Sequence, residues 1–399
     1  RSLQIPYFKV ISHDKDMTIS PELFVNNSIL LQTEYREANK DSNLIMDVSI
    51  KRDEGVTKSH FFSNIDGEND KGEFEFNLEH VTNDDYLKAH KIQSPIVNNY
   101  SVLHSYIKFY PSSEDHSLYI STEIYEDLSK VKSDRFEYIF PNYNFSKSFQ
   151  SASFDGNFNV SSIGYAKNFN TDVDEIYVGN DLNYNSLYFD SKNGIRNQYK
   201  ILFRNLNTNS EQNGNYEEQA DYKFLSNFLY EINYPLFKGG EDYNNYLTPK
   251  LAFRYSPNET KNTTNHDVII NYDGVFGVDR IGRNDMVEGG APSATLGFDY
   301  SKKQKNNEEF FTFGIATSLR NEINDDLPTK STLGQKNSDF FGKIKFKPKK
   351  SFDFNYNFNL DNSLEELNYQ SIAANLITSN IESSVNFSME DNFYGHNKY

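Results

Sequence analysis

The nine residues from Phe352 to Leu360 alternate without exception, with an aromatic or aliphatic residue at every even position and Asp or Asn at every odd one. Side chains on a β-strand alternate between faces, so this stretch has one apolar and one polar face. At ~3.3 Å per residue it spans roughly 30 Å, and a tilt of about 40° brings that to the roughly 25 Å apolar band of an outer-membrane barrel. A single strand of this kind also fits a soluble sandwich. Repetition changes the odds. The pattern recurs at Leu31 to Tyr35, Leu44 to Ile50, Phe74 to Leu78, Val102 to Tyr110, Leu118 to Tyr125 and Tyr138 to Phe145. Further strands are predicted at Phe154 to Val160, Val178 to Tyr188, Tyr199 to Phe203, Tyr222 to Tyr234, Leu251 to Tyr255, Ala294 to Tyr300, Phe311 to Leu319, Phe340 to Phe346, Ile372 to Ile377 and Ile381 to Met389. With Thr18 to Phe24 and Val268 to Tyr272, these come to about eighteen to twenty strands. Asp84 to Gln93 is the modestly helix-like piece of the first half, and Leu225 and Leu229 keep a helical alternative open for Tyr222 to Tyr234. Polar connections join the strands, and no fixed-period repeat of the propeller or solenoid kind emerges.

Composition narrows the class. A mean hydropathy of -0.73 and the absence of any run near ~18 apolar residues exclude a helical membrane protein, while a barrel dilutes its apolar residues with lumen-facing polar ones. Disorder does not account for 33 Phe and 28 Tyr, whose surface needs a core or lipid to cover it. The net charge of -17 argues against nucleic acid as a partner. Zero cysteine removes disulfides, thiolate metal sites and Cys nucleophiles. The chain opens Arg1-Ser2-Leu3-Gln4, with neither Met nor a signal segment, and reads as a mature or trimmed fragment. Pro6 and Pro21 cannot donate to a β-ladder and mark strand starts, edges or weakened pairing.

Catalytic and metal motifs are absent from the sequence. The eight His make no HExxH spacing, and there is no GxSxG elbow, GxGxxG fingerprint or Walker loop, so a non-enzymatic protein without metal or other cofactor is expected. The pairs Asp84-Asp85 and Asp325-Asp326 read as solvated loop residues. Asp66 to Glu73 is only loosely like a calcium loop, lacking the bidentate Glu of a twelve-residue frame, and reads as a turn.

One loop carries more information. Val275-Phe276-Gly277-Val278-Asp279-Arg280-Ile281-Gly282-Arg283-Asn284-Asp285-Met286-Val287-Glu288-Gly289-Gly290 runs into the Ala294 to Tyr300 strand. It resembles the pattern L-F-x-x-[ND]-R-x-x-G-x-D-R-x-E-G-G of the LPS-assembly outer-membrane protein family, LptD or organic solvent tolerance protein. Phe276, Asp279, Arg280, Asp285, Glu288, Gly289 and Gly290 match, whereas Arg283 stands where the family usually has Gly and Met286 where it often has Arg. Ile5-Pro6-Tyr7-Phe8, Thr18-Ile19-Ser20-Pro21, Leu30 to Arg36 and Leu247-Thr248-Pro249-Lys250 resemble further family segments in the expected order.

The resemblance implies an all-β fold, a large antiparallel transmembrane β-barrel of the outer-membrane type, in the outer membrane of a Gram-negative bacterium. The family builds about 26 strands, the top of the usual range. Residues 1-399 would then be a single barrel domain, incomplete here and lacking the amino-terminal periplasmic jelly roll, the first strand and the last strands. The implied function is a translocon that inserts lipopolysaccharide (LPS) into the outer leaflet through the lumen and a lateral gate. By the same resemblance Pro6 is a gate candidate. Implied partners are LPS, outer-membrane lipid, an LptE-like lipoprotein plug and a periplasmic jelly-roll bridge protein. The cysteines that join barrel to periplasmic domain in many members are missing. An acidic lumen repels anionic LPS unless Ca2+ or Mg2+ bridges the two. The rival expectation is a diffusion porin or ligand-gated uptake barrel, and a third is a soluble β-rich adhesin.

Overall fold

The structure is a computed structural model and describes residues 2–390, apart from 27, 54, 98, 152, 170, 171, 215, 217 and 380, together with 397 and 398. Among the described residues there are 24 strands, some only two to four residues long, such as Ser2–Gln4 and Phe189–Asp190. These short pieces are why the count exceeds the predicted eighteen to twenty. Every recorded register is antiparallel, mostly between strands adjacent in sequence. The predicted Tyr222 to Tyr234 segment is, up to Asn233, the strand Asp221–Asn233 rather than a helix, with Phe228 and Tyr230 on one face and Asn227, Leu229 and Glu231 buried on the other. A short helix, Tyr86–His90, does form within Asp84 to Gln93 and ends at Lys91 in the left-handed conformation.

The chain divides into two compact units. The first comprises Arg1–Ser148, Val160–Asn180 and Leu206–Lys223, and the second Phe149–Asn159, Asp181–Asn205 and Phe224–Tyr399. In the first unit Val56–Asn69 pairs with Gly72–Val81 down to Asn69 opposite Gly72, so Asp66 and Gly67 belong to a strand and the turn is only Asp70-Lys71. The predicted loop from Asp66 is therefore shorter than expected. Gly72, at φ +139, takes the backbone angle that the tight turn demands, and a Cβ there would lie 2.1 Å from the Tyr110 carbonyl oxygen. Residues 82–101, including the helix, fold back over the polar face. Tyr86, Leu87, Ile92 and Ile96 pack there with Leu30, Phe62, Val81, Leu103 and Leu128.

In the second unit the alternation of Phe352 to Leu360 is a strand with those bounds. Residues directly opposite share a face. Tyr356 lies between Ile344 and Ile372, and Phe354 between Phe346 and Ala374, whereas Asn357 lies between Lys343 and Ser371. The apolar rows continue across Phe313 and Tyr300, through Phe298 and Pro249, and on to Leu251 beside Ile232 and Phe253 beside Tyr230. Phe253 is 48% exposed, Tyr255 50% and Leu296 43%. Exposed aromatics in register over many strands are what a lipid-facing wall needs, and in water they would be an aggregation hazard.

The opposite face of this unit is covered by two long connections, residues 256–292 and 321–339. Ile270, Tyr272, Val275, Ile281 and Met286 from the first pack with Leu327 and Leu333 from the second, over Ala316 and Phe341 of the wall. The wall makes room with small residues. A Cβ on Gly314 would lie 2.8 Å from the Tyr272 ring, so that ring rests on bare backbone. Gly314→Val is expected to unseat Tyr272 at a cost of about 1–3 kcal/mol. A lowered urea midpoint of the folded barrel checks this, and an unchanged midpoint would mean that the ring moves aside freely.

Candidate functional site

The 256–292 connection contains the motif loop, and its conformation follows from a few residues. A 3-10 turn, Gly274–Phe276, brings Phe276 edge-on to Tyr272 with 5.7 Å between ring centres. Gly289 passes so close to the start of the same connection that a Cβ would sit 2.3 Å from the Asn258 carbonyl oxygen, and Gly290 adopts φ +83. Only glycine meets both demands at no cost. The two connections are tied together. Asn324 Nδ2 donates to Thr260 Oγ1 at 2.9 Å and to the Gly289 carbonyl at 3.3 Å, and Thr263 donates through N and Oγ1 to the Asp326 carbonyl.

At the centre lies a wholly buried ionic cluster. Arg280 donates Nε to Glu288 Oε2 at 2.6 Å and Nη2 to Glu288 Oε1. Its remaining donors reach Ser318 Oγ at 2.9 Å and Ser293 Oγ at 3.1 Å on the wall. Arg320, the last residue of Glu309–Arg320, also donates to Glu288 Oε1, and to the Leu333 and Ala291 carbonyls. Arg254 donates to the Gly277 and Val278 carbonyls, with its Nε 3.8 Å from Glu288 Oε2. One carboxylate thus serves three guanidinium groups. Burial pushes the Glu288 carboxyl up, but the charges of Arg280 and Arg254 and the Arg280 hydrogen bonds prevail and hold it at about 2.

A fourth arginine fastens the loop's other side. Arg204 grips Asp181 with two hydrogen bonds of 2.7 and 2.6 Å, reaches Asp279 at 3.3 Å, and donates to the Arg283 and Met286 carbonyls. Burial raises the Asp279 carboxyl despite the neighbouring Arg204 charge. Asp285 is half-buried as well. Burial acts to raise it, but two hydrogen bonds of 2.8 Å from Arg283 hold it below the ordinary carboxylate value. Each of these carboxylates is engaged with a cation. The cluster is therefore a clamp that fixes the loop to the wall, and it presents no poised acid or base.

The seven motif residues thus share one loop, with Arg280, Glu288 and Gly289 buried, Phe276, Asp279 and Asp285 half-buried, and Gly290 exposed. The departures at Arg283 and Met286 are accommodated, since Arg283 pairs with Asp285 and Met286 is 2% exposed in the apolar cluster. Sequence reasoning missed Arg204, Arg254 and Arg320. The available signal was an arginine on the polar face of a strand, near its end for Arg254 and Arg320, which is also what an ordinary lumen residue looks like.

It also missed a polar cluster in the first unit. Ser49 Oγ lies 2.6 Å from His60 Nδ1 and 2.7 Å from the Tyr86 hydroxyl, and His60 Nε2 is 3.4 Å from Asp47 Oδ2. The trio mimics a nucleophile, base and orienting acid, yet Ser49, His60 and Asp47 are all 0% exposed. The hydroxyl is used to hold Tyr86 and its loop against the wall. Among the described residues no group of three or more His, Asp or Glu side chains could hold a metal ion.

Pro6 lies elsewhere, between Ser2–Gln4 and Tyr7–Ser12, which both pair with Lys15–Phe24. The ladder skips from Gln4 opposite Glu22 to Tyr7 opposite Ile19, bridged by Ile5 N donating to the Pro21 carbonyl at 3.1 Å. Pro21 lacks the N–H that would return the second bond of that pair.

Antiparallel strands with an in-register apolar face, and a polar face folded over by clamped loops, define a β-barrel chain of the outer-membrane class. Residues 59–394 match the LptD family, LPS transport system D, and the chain belongs to that family. It is accordingly a barrel of the LPS transport system in the Gram-negative outer membrane. No curated protein matches it. Among solved structures, similarity is found to the alcaligin outer-membrane receptor FauA of Bordetella pertussis, at 8% identity and TM-score 0.29 over 98% of this chain and 73% of that one. OccAB3 of Acinetobacter baumannii gives 11% identity and TM-score 0.27 over 100% and 98%. The loop-deleted OmpT of Vibrio cholerae gives 8% and 0.21 over 80% and 91%.

Proposed function

We propose that the chain forms the wall of a translocon that delivers LPS to the outer leaflet through the lumen and through a seam that separates beside Pro6. Transport of this kind needs no catalytic group. The observation that supports it is the geometry at Ile5-Pro6: Ile5 N donates to the Pro21 carbonyl, so the donor that Pro6 lacks would have pointed away from Lys15–Phe24, to the seam side. That missing bond makes separation cheaper by about 0.5–1.5 kcal/mol. An LptE-like lipoprotein plug in the lumen and a jelly-roll bridge protein on the periplasmic side complete the proposal. Ca2+ or Mg2+ bridges LPS to the acidic residues of the path. A diffusion porin would need neither a plug nor a weak seam.

The test is photocrosslinking in cells from a probe placed at Ile5 in the complete protein. The expected result is an LPS adduct that disappears when the periplasmic supply of LPS is stopped. No adduct, together with steady single-channel conductance from the purified barrel, would favour the porin and end the lateral-gate reading.

A further inference from the structure

The polar face of the first unit carries a patch that the motif clamp does not use. It spans the strands Gly72–Val81, Val102–Pro111 and Ser117–Asp127. Register places four rows on one face: Glu73, Tyr110 and Tyr119; Glu75, Lys108 and Ser121; Asn77, Tyr106 and Glu123; Glu79, His104 and Tyr125. The other face of the same strands carries Ile107, Phe109, Ile120 and Ile124, all more than a third exposed, and is the apolar wall. The patch therefore faces the lumen. At ~6.8 Å between rows it runs for roughly 20 Å along the wall.

The patch is rigid and only half-buried. Glu123 accepts hydrogen bonds from Ser121 at 2.7 Å, Tyr125 at 2.9 Å and Tyr119 at 3.0 Å, and lies 2.8 Å from His104 Nε2. His104 stacks on Tyr125 at 4.1 Å, Tyr110 lies 5.1 Å from Tyr119, and Lys108 sits over the Tyr106 ring at 3.9 Å. The rings of Tyr106, Tyr110, Tyr119 and Tyr125 remain half-buried, so part of each is open to the lumen.

We propose that this patch is a binding platform for an uncharged oligosaccharide. A sugar ring offers an apolar C–H face that packs on an aromatic ring and a rim of hydroxyls that donate to carboxylates, and the rows present both. Charge selects the class. Glu73, Glu75, Glu79 and Glu123 outnumber Lys108, so without a bridging divalent cation phosphate and uronate groups are repelled while neutral hexoses are not. The inference deepens the transport reading and rests on it for its biological role, because the saccharide part of LPS would travel along this face.

The experiment uses the complete protein with its natural partners in detergent and chelator, to remove divalent cations, and saturation-transfer NMR with two probes of equal length, maltohexaose and hexagalacturonate. Maltohexaose is expected to bind with a Kd on the order of millimolar, and hexagalacturonate about tenfold more weakly. Replacing the rings in Tyr106→Ala with Tyr110→Ala should weaken maltohexaose about fivefold or more, while Tyr106→Phe keeps the ring and binds within about twofold of the parent. Heat-modifiable mobility reports whether each variant is folded, and Tyr106→Phe and the two-probe comparison remain decisive if the double variant is not. Absence of maltohexaose binding, equal binding of the two probes, or unchanged binding by the folded double variant would overturn the platform. Binding to purified protein does not require export. An LPS adduct beside Pro6 without sugar binding would therefore sink the platform alone, and sugar binding without an adduct would sink the gate alone.

Discussion

Glu288→Ala is expected to be the most damaging single substitution in the second unit, lowering stability by about 3–5 kcal/mol. Glu288 is the shared partner of Arg280 and Arg320 and the nearest carboxylate to Arg254, and Glu288, Arg280 and Arg320 have almost no solvent contact. Removing it leaves buried guanidinium charges facing one another, and the loop that carries Arg280 loses its main attachment to the wall. Glu288→Gln keeps the volume and part of the hydrogen bonding but not the charge, and should fall in between. Glu365→Ala, on an exposed turn, is the control expected to change stability by less than about 0.5 kcal/mol. The urea midpoint of the folded, heat-modifiable form measures all three. A Glu288→Ala midpoint equal to that of the control would show that the cluster is not a clamp. The same geometry sets a pH dependence. The folded carboxyl is depressed to about 2, so its contribution is fully present above the unfolded value of about 4.3 and is lost as pH falls from there through about 2. An acid titration of the parent should lose stability in that window, and Glu288→Gln should lose less.

The strands were legible because period two leaves a mark that does not depend on partners. Phe352 to Leu360 shows this best, since its bounds and both faces follow from alternation alone. Val56–Asn69 was less legible because Asp66 and Gly67 have turn-like chemistry, and the pairing of Asp66 with Asn43 and Glu75 overrides it. The motif loop was visible as residue types, but its role was not. Glu288 and Arg280 are eight residues apart and look like ordinary loop charges until Arg254 and Arg320 arrive from two strands and Ser293 and Ser318 complete the shell. Sequence separation hides such a cluster, because each arginine alone reads as a lumen residue. The tyrosine rows of the first unit were hidden differently. Each strand's alternation was plain, but only the register shows that Tyr106, Tyr110, Tyr119 and Tyr125 share one patch.

Pro6→Ala is expected to slow the appearance of LPS at the cell surface by about fivefold, and Pro21→Ala to leave it within about twofold. The difference comes from where each missing donor points. In an antiparallel strand successive N–H groups alternate sides, and one residue's N–H and C=O share a side. The Pro21 carbonyl accepts from Ile5, so the donor Pro21 lacks would also have pointed at the Ser2–Ser12 stretch. Ile5 N points at Lys15–Phe24, so the donor absent at Pro6 would have pointed the other way, toward whatever lies across the seam. Restoring an N–H at Pro6 adds a bond worth about 1 kcal/mol to the closed seam, and hence about a fivefold smaller open fraction if separation limits export. Restoring one at Pro21 instead strengthens a hairpin that stays together during opening. It should raise the urea midpoint slightly without slowing export. Pulse-labelled LPS reaching the surface in cells carrying each variant decides the matter. A slowing by Pro21→Ala and not by Pro6→Ala would move the opening between the first two strands, and no slowing by either would mean that strand separation does not limit transport.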